Sequence, residues 1–256
     1  MPTATEFVLG LPEKEKIHRA MGSIMQGAIM EILDSESADK LHVDGLRPYS
    51  QYLYFDKNKN LQIWRVNSLN DWAHEKISVP LTRKRQIFLR HKNYCVNLLE
   101  HKIIAAESYA DIVTKFMNED APTCRGVDLE FVTTTSFRRD GQYVIFPELY
   151  LIIQSLLNRW NKFAEGFFIE EDISKVMATF CRVTEYDLRT QNFLLEHQKF
   201  LGFCGKMKIK FYGNRIVNNL LDLLSNYANY SGVGIKTALG MGAVRMRNFS
   251  RKLFDS

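Results

Sequence analysis

Residues Val127–Phe163 read VDLEFVTTTSFRRDGQYVIFPELYLIIQSLLNRWNKF. Val127 to Thr134 is rich in β-branched and aromatic residues and predicts a strand. Asp140-Gly141 then supplies a turn before a second, short strand. Pro147 stands where a helix begins, since the N–H it lacks is one that a first helical turn leaves unpaired anyway. Leu149, Ile152, Ile153, Leu156, Leu157, Trp160 and Phe163 recur every three or four residues and form one apolar face, the clearest helix in the chain. Downstream, strands are expected at Thr179–Leu188 and Lys206–Tyr212. A helix carrying Ile216, Leu220, Leu223, Leu224 and Tyr227 follows, then a glycine-rich loop and a final strand at Ala243–Arg247. The order β-α-β-β-α-β is the ferredoxin-like plan.

The first half opens in the same way. Thr3–Leu9 reads as a strand, and Pro12 with Glu13 and Glu15 as a helix start. Ile17, Met21, Ile24, Ala28 and Ile32 extend that helix over roughly Glu13–Leu33. Tyr49–Phe55 and Leu61–Val66, joined by the polar turn Asp56–Asn60, form a hairpin. A short helix at Leu69–Lys76 and β-like stretches at Gln86–His91 and Tyr94–Leu99 follow, less readily fitted to the plan. Ser108, three residues ahead of Asp111, resembles a capping box opening a helix through Met117. No sequence repeat is detectable. An α+β chain of two tandem ferredoxin-like domains, 1–121 and 122–256, therefore rests on element order alone.

Composition excludes several classes. With 46% of 256 residues hydrophobic and 25% charged, the chain can bury a core and is neither disordered nor fibrous. The N-terminus lacks a basic region followed by an apolar one, so no secretory signal is expected. The longest uncharged apolar segment, around Leu149–Leu157, is about half of what a membrane-spanning helix needs. Cys95, Cys124, Cys181 and Cys204 are scattered without CxxC or histidine spacing, which points to reduced thiols of a cytoplasmic protein and to neither disulfides nor zinc. The net charge of +5 is unevenly spread: from Cys204 onward nine Lys and Arg face two acids, whereas the preceding 203 residues hold 25 basic and 27 acidic groups. That asymmetry suggests a nearly neutral body with one basic end suited to nucleic acid or another anionic surface.

Within that end, Ser231-Gly232-Val233-Gly234-Ile235-Lys236-Thr237-Ala238-Leu239-Gly240-Met241-Gly242 is neither a Walker A loop nor a dinucleotide fingerprint. Glycines at this density suit either phosphate cradling by backbone amides or tight packing against another backbone, with Lys236 adding a cation. The stretch YSGVGIKTALGMGAV resembles the glycine-rich loop of the CRISPR-associated endoribonuclease that processes precursor CRISPR RNA, a member of the RAMP superfamily. Leu129–Phe163 and Phe200–Asn214 are similar to the middle and late blocks of the same family, and the likeness runs to Arg247. It implies two ferredoxin-like or RRM-like domains that bind repeat RNA and cut it once, with no metal and no cofactor.

Metal-free RNA cleavage needs a base for the ribose 2′-hydroxyl proton, a donor for the departing 5′-oxygen, and cations or amides for the phosphorane. The products expected are a 2′,3′-cyclic phosphate and a 5′-hydroxyl. Histidine is the natural proton carrier near neutral pH. His42, in KLHVDGLRPY (Lys40–Tyr49), looks like the family's Leu-His segment, which implies a general acid or base there and a phosphate-stabilising role for Arg47. Some relatives carry a tyrosine in the first helix where this chain has Met30, and methionine transfers no proton. His18, early in the predicted first helix, is the second candidate; His91 and His101 lie in a basic stretch, and His74 and His197 have no informative context.

Lys206, Lys208 and Lys210 alternate along a predicted strand and share one face, a row suited to an RNA backbone. Arg138-Arg139 and the group Arg83, Lys84, Arg85, Arg90 and Lys92 form two further clusters. Glu170-Glu171-Asp172 fits a helix N-terminus better than a metal site. The resulting expectation is a repeat-specific endoribonuclease using His42 and Arg47, with RNA held by Lys206, Lys208, Lys210, Gly232, Gly234, Lys236, Gly240, Gly242, Arg138 and Arg139. Its partners would be precursor and mature CRISPR RNA, with room for a loose interference-complex association and a homodimer, and no membrane. The alternatives are a non-catalytic RAMP subunit binding guide RNA and a ferredoxin-like protein with no RNA role.

Overall fold

The computed structural model describes residues 1–18, 21–42, 45–170, 172–195 and 198–248. In the first half, strands β1 (Thr3–Gly10), β2 (Tyr49–Asp56), β3 (Leu61–Ser68), β4 (Gln86–Leu89) and β5 (Tyr94–Ala106) form one sheet in the order β2-β3-β1-β5-β4. All neighbours are antiparallel. Taking β5 as the closing strand, the order is fourth-first-third-second, as a βαββαβ unit requires, with β4 added at the edge. Side chains alternate across the pleat, so Phe7, Leu53, Trp64 and Val66 all point into one core.

The second half repeats the arrangement. Strands β6 (Gly126–Thr135), β9 (Cys181–Leu195), β10 (Gln198–Phe211) and β11 (Val244–Asn248) pair as β11-β6-β10-β9, again antiparallel and again fourth-first-third-second. The small hairpin of β7 (Phe137–Arg139) and β8 (Gln142–Val144) turns at Asp140-Gly141, both at positive φ. It leads into helix α6 (Leu149–Phe163), whose predicted apolar face is buried except for partly covered Leu149.

Helix α5 (Tyr109–Met117) starts at the predicted capping box, with the Ser108 side chain accepting from the Asp111 amide. Its Tyr109 ring meets Trp160 edge-on at 5.3 Å, and Trp160 meets Tyr227 of helix α8 (Arg215–Ser231) edge-on at 5.2 Å. Such pairs are worth about 0.5–1.5 kcal/mol each beyond their burial. Through them α5 packs into the core of the second half.

The first helix departs from expectation. Instead of one helix over 13–33, the chain makes a turn at Pro12–Glu15, then helix α1 (Gly22–Met30), then a separate helix α2 (Ser35–His42). Lys14 sits at φ +71°, and the Ile17 amide donates to Gln62 Oε1 at 2.7 Å, a partner across the sheet in place of a helical carbonyl. Ile17 and Ile32 still pack on the same core as Met25 and Ile29, so the apolar period reports a shared core and not one continuous helix. His18 consequently lies outside any helix, and His42 ends a helix where a loop was expected. The second crossover, expected as a short helix at 69–76, runs from α3 (Asp71–Ala73) through a π-turn at His74–Ser78 into α4 (Val79–Thr82), with Pro80 at its start. That interruption explains why the first half fitted the plan less readily.

The halves are joined through β2. Gln51 Nε2 donates to Gly22 O at 2.7 Å and to Ala238 O at 3.0 Å, while its Oε1 accepts from Trp64 Nε1 at 2.6 Å. On the opposite face, Tyr52 and Tyr54 pack on Val132 and Ala243, and the Arg245 guanidinium lies 4.2 Å over the Tyr54 ring. No helix among the described residues is long and apolar enough to cross a membrane.

Candidate functional site

The glycine loop is tightly packed, with only Gly234, Ile235, Lys236 and Leu239 partly exposed. Gly232, Gly234, Gly240 and Gly242 all have positive φ, between +64° and +96°. A Cβ on Gly242 would stand 2.0 Å from Val233 O, one on Gly234 2.3 Å from Ser136 O, and one on Gly22 of α1 2.2 Å from Leu239 O. The glycines are therefore required by backbone against backbone, across the junction of the two halves.

Most of the loop's amides are used inside the protein. Val233 N donates to Gly242 O, Ile235 N to Ser136 O, and Gly242 N to Thr134 O, at 2.8–2.9 Å. Leu239, Gly240 and Met241 N–H groups close a turn onto Lys236 and Thr237 carbonyls. Of the two roles open to these glycines at the sequence level, the geometry displays close packing. Lys236 itself, at φ +55°, is half-buried with its ammonium 4.8 Å over the Phe200 ring. Phe200 belongs to the long β9–β10 hairpin, whose Phe193, Leu195 and Phe200 close over Met241, Ile235 and Leu239. The sequence pattern ends the first of these strands at Leu188 and begins the second at Lys206, so the arm between them is not legible in it.

Helix α6 grips the loop from beneath. Ser155 Oγ accepts from Gly234 N–H at 2.8 Å, and Arg159, one turn on, donates from Nη2 to Gly234 O at 2.5 Å. Arg159 is only 3% exposed, and among the described residues its Nε has no partner. Burial pulls its guanidinium down to about 10. Sequence reasoning passes over this pair. The available signal is an arginine and a serine at i, i+4 beside the apolar run of α6, positions a surface helix leaves to small or apolar residues.

Of the proton-transfer candidates, His42 is the last residue of α2, and its side chain lies outside the described residues, as do Val43 and Asp44. The start of α2 is held by Asp34, whose carboxylate accepts from the Ser37 amide at 2.8 Å and from Lys76 Nζ at 3.1 Å. These bonds, the backbone one foremost, lower the carboxyl to about 2. Arg47 is half-buried, with Nη1 3.5 Å from Gly45 O, and its charge partly offsets the burial that pushes the Tyr49 phenol up. Met30 packs against the first core. His18 is held below its ordinary range, by partial burial first and then by Lys92. Among the described residues the buried His74 Nδ1 has no partner, His91 and His101 are exposed, and His197 lies outside the described residues.

The lysine row is on one outward face of β10, while Met207 and Ile209 between its members are buried. It is not a free basic stripe. Lys206 and Lys208 stand opposite Glu130 and Asp128 of β6 on one side, and opposite Asp187 and Glu185 of β9 on the other. Arg245 and Arg247 of β11 flank the same Glu130 and Asp128 from beyond. Lys208 is ion-paired with Glu185, a bond that raises its ammonium above the ordinary range. These eight side chains line one open cleft of about 360 Å³. The expected one-sided basic end is corrected on this face: four of the tail's cations, Lys206, Lys208, Arg245 and Arg247, fold against acids from earlier in the chain.

Arg138 and Arg139 are both exposed; Arg139 donates to Tyr150 OH at 2.9 Å and to Glu148 at 2.7 Å, bonds that raise its guanidinium in that order. Arg83, Lys84, Arg85, Arg90 and Lys92 are exposed at the far edge of the first sheet, Arg90 paired with Glu31 at 2.6 Å. Asp172 stands at the N-cap of helix α7 (Ile173–Thr179), as expected for the acidic run, although its side chain makes no capping bond. Two of the predicted RNA-binding residues, Arg138 and Gly234, do converge. Leu46, from the segment after His42, shares a pocket of about 150 Å³ with Arg138 and Gly234.

The family model described as CRISPR-associated endoribonuclease Cas6 matches residues 129–244. A CRISPR-associated endoribonuclease Cas6 of Streptococcus thermophilus is 32% identical over 221 residues, covering 86% of this chain and 88% of the relative. A namesake from Mycobacterium tuberculosis is 24% identical over 232 residues, covering 89% and 72%. Among solved structures, a Cas6 product complex superposes with a TM-score of 0.79 at 23% identity, covering 96% of this chain and 99% of that one. Thermus thermophilus Cas6 gives 0.73 at 20%, covering 96% and 98%. A RAMP protein described as binding different RNA substrates gives 0.57 at 11%, covering 96% and 99%. These structural likenesses share the tandem ferredoxin-like fold.

Proposed function

The chain belongs to the family of the CRISPR-associated endoribonuclease Cas6, and on that basis we propose that it cuts precursor CRISPR RNA within the repeat, without a metal ion, to release mature guide RNAs. The 2′-hydroxyl of the nucleotide before the cut loses its proton to a base, and the oxygen attacks the adjacent phosphorus. The bond to the 5′-oxygen breaks as that oxygen takes up a proton, leaving a 2′,3′-cyclic phosphate and a 5′-hydroxyl. His42 is the proton carrier in this reading, as general acid or base. Arg47 and Lys236 offset the charge of the phosphorane. With Met30 in the first helix, no tyrosine assists from that position.

RNA contact falls to Lys206, Lys208, Lys210, Lys236, Arg138 and Arg139, while Gly232, Gly234, Gly240 and Gly242 let the loop approach both the RNA and the first domain. The division into domains 1–121 and 122–256 assigns His42 to one and the glycine loop to the other. A cytoplasmic location, a loose association with an interference complex and a homodimer are compatible with this role. The observation carrying the proposal is the meeting of the segment after His42, Arg138 and the glycine loop at one pocket.

The test incubates the protein and a His42→Ala variant with labelled repeat RNA in EDTA. Cleavage by the native protein alone, with binding retained by both, is the expected result. Binding without cleavage by either would remove the catalytic role and leave a guide-binding subunit. Absence of binding would remove RNA.

A further inference from the structure

The cleft on the second sheet and the pocket beside the glycine loop differ in chemistry. The wide cleft carries four carboxylates among its cations. The smaller pocket contains no acid among its lining residues. Its walls are apolar, built from Leu46, Phe137 and Ile235, with Arg138 at the rim and the carboxamides of Gln154 and Asn158 along one side. Gln154 and Asn158 are one turn apart on α6 and project from the same face.

Their hydrogen-bonding capacity is unspent. Both are exposed, and among the described residues neither carboxamide has a protein partner. Neighbouring carboxamides are used: Asn161 is bonded twice to Ile169, Asn226 to Asp222, and Asn229 to Asn226 and Met246. Behind the pocket, buried Arg159 holds the Gly234 peptide from beneath, and a phosphate at the rim would meet Arg138. Apolar walls, a donor and acceptor side by side on each carboxamide, and a cationic rim together suit a single unpaired nucleotide. A carboxamide complements the adenine edge, accepting from N6 and donating to N7.

We infer that the pocket between α6 and Leu46 takes one extruded adenine of the repeat, read by Gln154 and Asn158, and so fixes the register of the RNA relative to His42. This rests on the endoribonuclease reading. It adds a specificity-determining subsite that the proton-transfer chemistry does not need.

The test uses repeat RNA transcribed from the array accompanying the gene, with each nucleotide near the cut replaced in turn by an abasic site, and the native protein beside a Gln154→Ala/Asn158→Ala double variant. In the native protein one adenine position should weaken binding by roughly tenfold when made abasic, the scale of a single base interaction. The double variant should bind intact repeat with a similar loss and show no further loss at that position alone, because the two changes delete the same interaction. Losses that multiply at every position, or a variant binding as tightly as the native protein, would overturn the inference while leaving the nuclease reading in place. A native protein that neither binds nor cuts repeat RNA would overturn both, and is recognised before any variant is compared. Both side chains are exposed, and an unchanged circular dichroism spectrum confirms that the fold is kept.

Discussion

Arg159 and Gly234 form a charge-to-backbone bond: the buried guanidinium reaches the partly buried Gly234 carbonyl at 2.5 Å from beneath, in a site where burial works against its charge and Tyr227 offsets only part of that penalty. A buried cation held by a carbonyl rather than a carboxylate is costly unless it does something for the structure. Here it fixes the peptide of the glycine loop that meets the segment after His42. Arg159→Ala should destabilise the protein by about 2–4 kcal/mol in urea unfolding, through a packing defect and an orphaned carbonyl. Arg159→Met fills the volume without the charge and should recover most of that stability, since apolar replacement of a buried charge is often near neutral. Its RNA cleavage should nonetheless stay low. A methionine variant that cuts as the native protein does would show that the bond serves stability alone.

Two glycines should respond to alanine with opposite signs. Gly234 sits at φ +82° with Ser136 O only 2.3 Å from the place of a Cβ, so Gly234→Ala should cost at least about 1–3 kcal/mol. Gly27, inside α1 with nothing within 4 Å, has ordinary helical backbone and open space. Gly27→Ala should stabilise by about 0.5–1 kcal/mol. Thermal unfolding of the two variants checks both signs; a neutral Gly234→Ala would mean that the loop can re-form around a side chain.

Helix α2 carries His42 at its end and depends on Asp34 at its start. The Asp34 carboxyl is lowered from 3.8 to about 2 by its bonds to Ser37 and Lys76. A carboxyl lowered on folding contributes stability above its unfolded value and loses it as pH falls through the folded one. The cap should thus be intact from about pH 4 upward and fail toward pH 2, leaving the neutral range flat with respect to this group. Asp34→Ala should reduce cleavage at pH 7 more than it reduces RNA binding, and Asp34→Asn, which still caps, should restore it. Equal cleavage by the alanine and native proteins would separate the cap from the site.

Sequence carries the fold well where period and turn chemistry agree. The α6 face, the Asp140-Gly141 turn, the Ser108–Asp111 capping box and the second-half order are all local patterns, and all are present. It misleads where tertiary partners replace local ones. The apolar period from Ile17 to Ile32 runs through the boundaries of α1 because both flanking residues reach the same core. Arg159 stands out in the sequence only as an arginine beside the apolar run, because its partner lies 75 residues away. The charge partition fails for the same reason: Lys206, Lys208, Arg245 and Arg247 all belong to the basic tail, yet in space they alternate with Asp128, Glu130, Glu185 and Asp187.

That alternation makes the lysine row testable in a way that a bare basic stripe would not be. If RNA lies on this face, its phosphates must displace the ion pair already there, between Lys208 and Glu185, and compete with the acids beside it. Glu185→Gln removes that competitor and should tighten binding and steepen its salt dependence. Lys206→Ala/Lys210→Ala should weaken binding and flatten the slope of log K against log salt by about 0.7 for each single-strand phosphate no longer neutralised. Lys208→Ala alone should do less than either lysine beside it, because its charge is already shared. Slopes unchanged in all three variants would place the RNA elsewhere, leaving the acid-free pocket beside Gly234 and the Arg138 rim as the surface that orients the repeat.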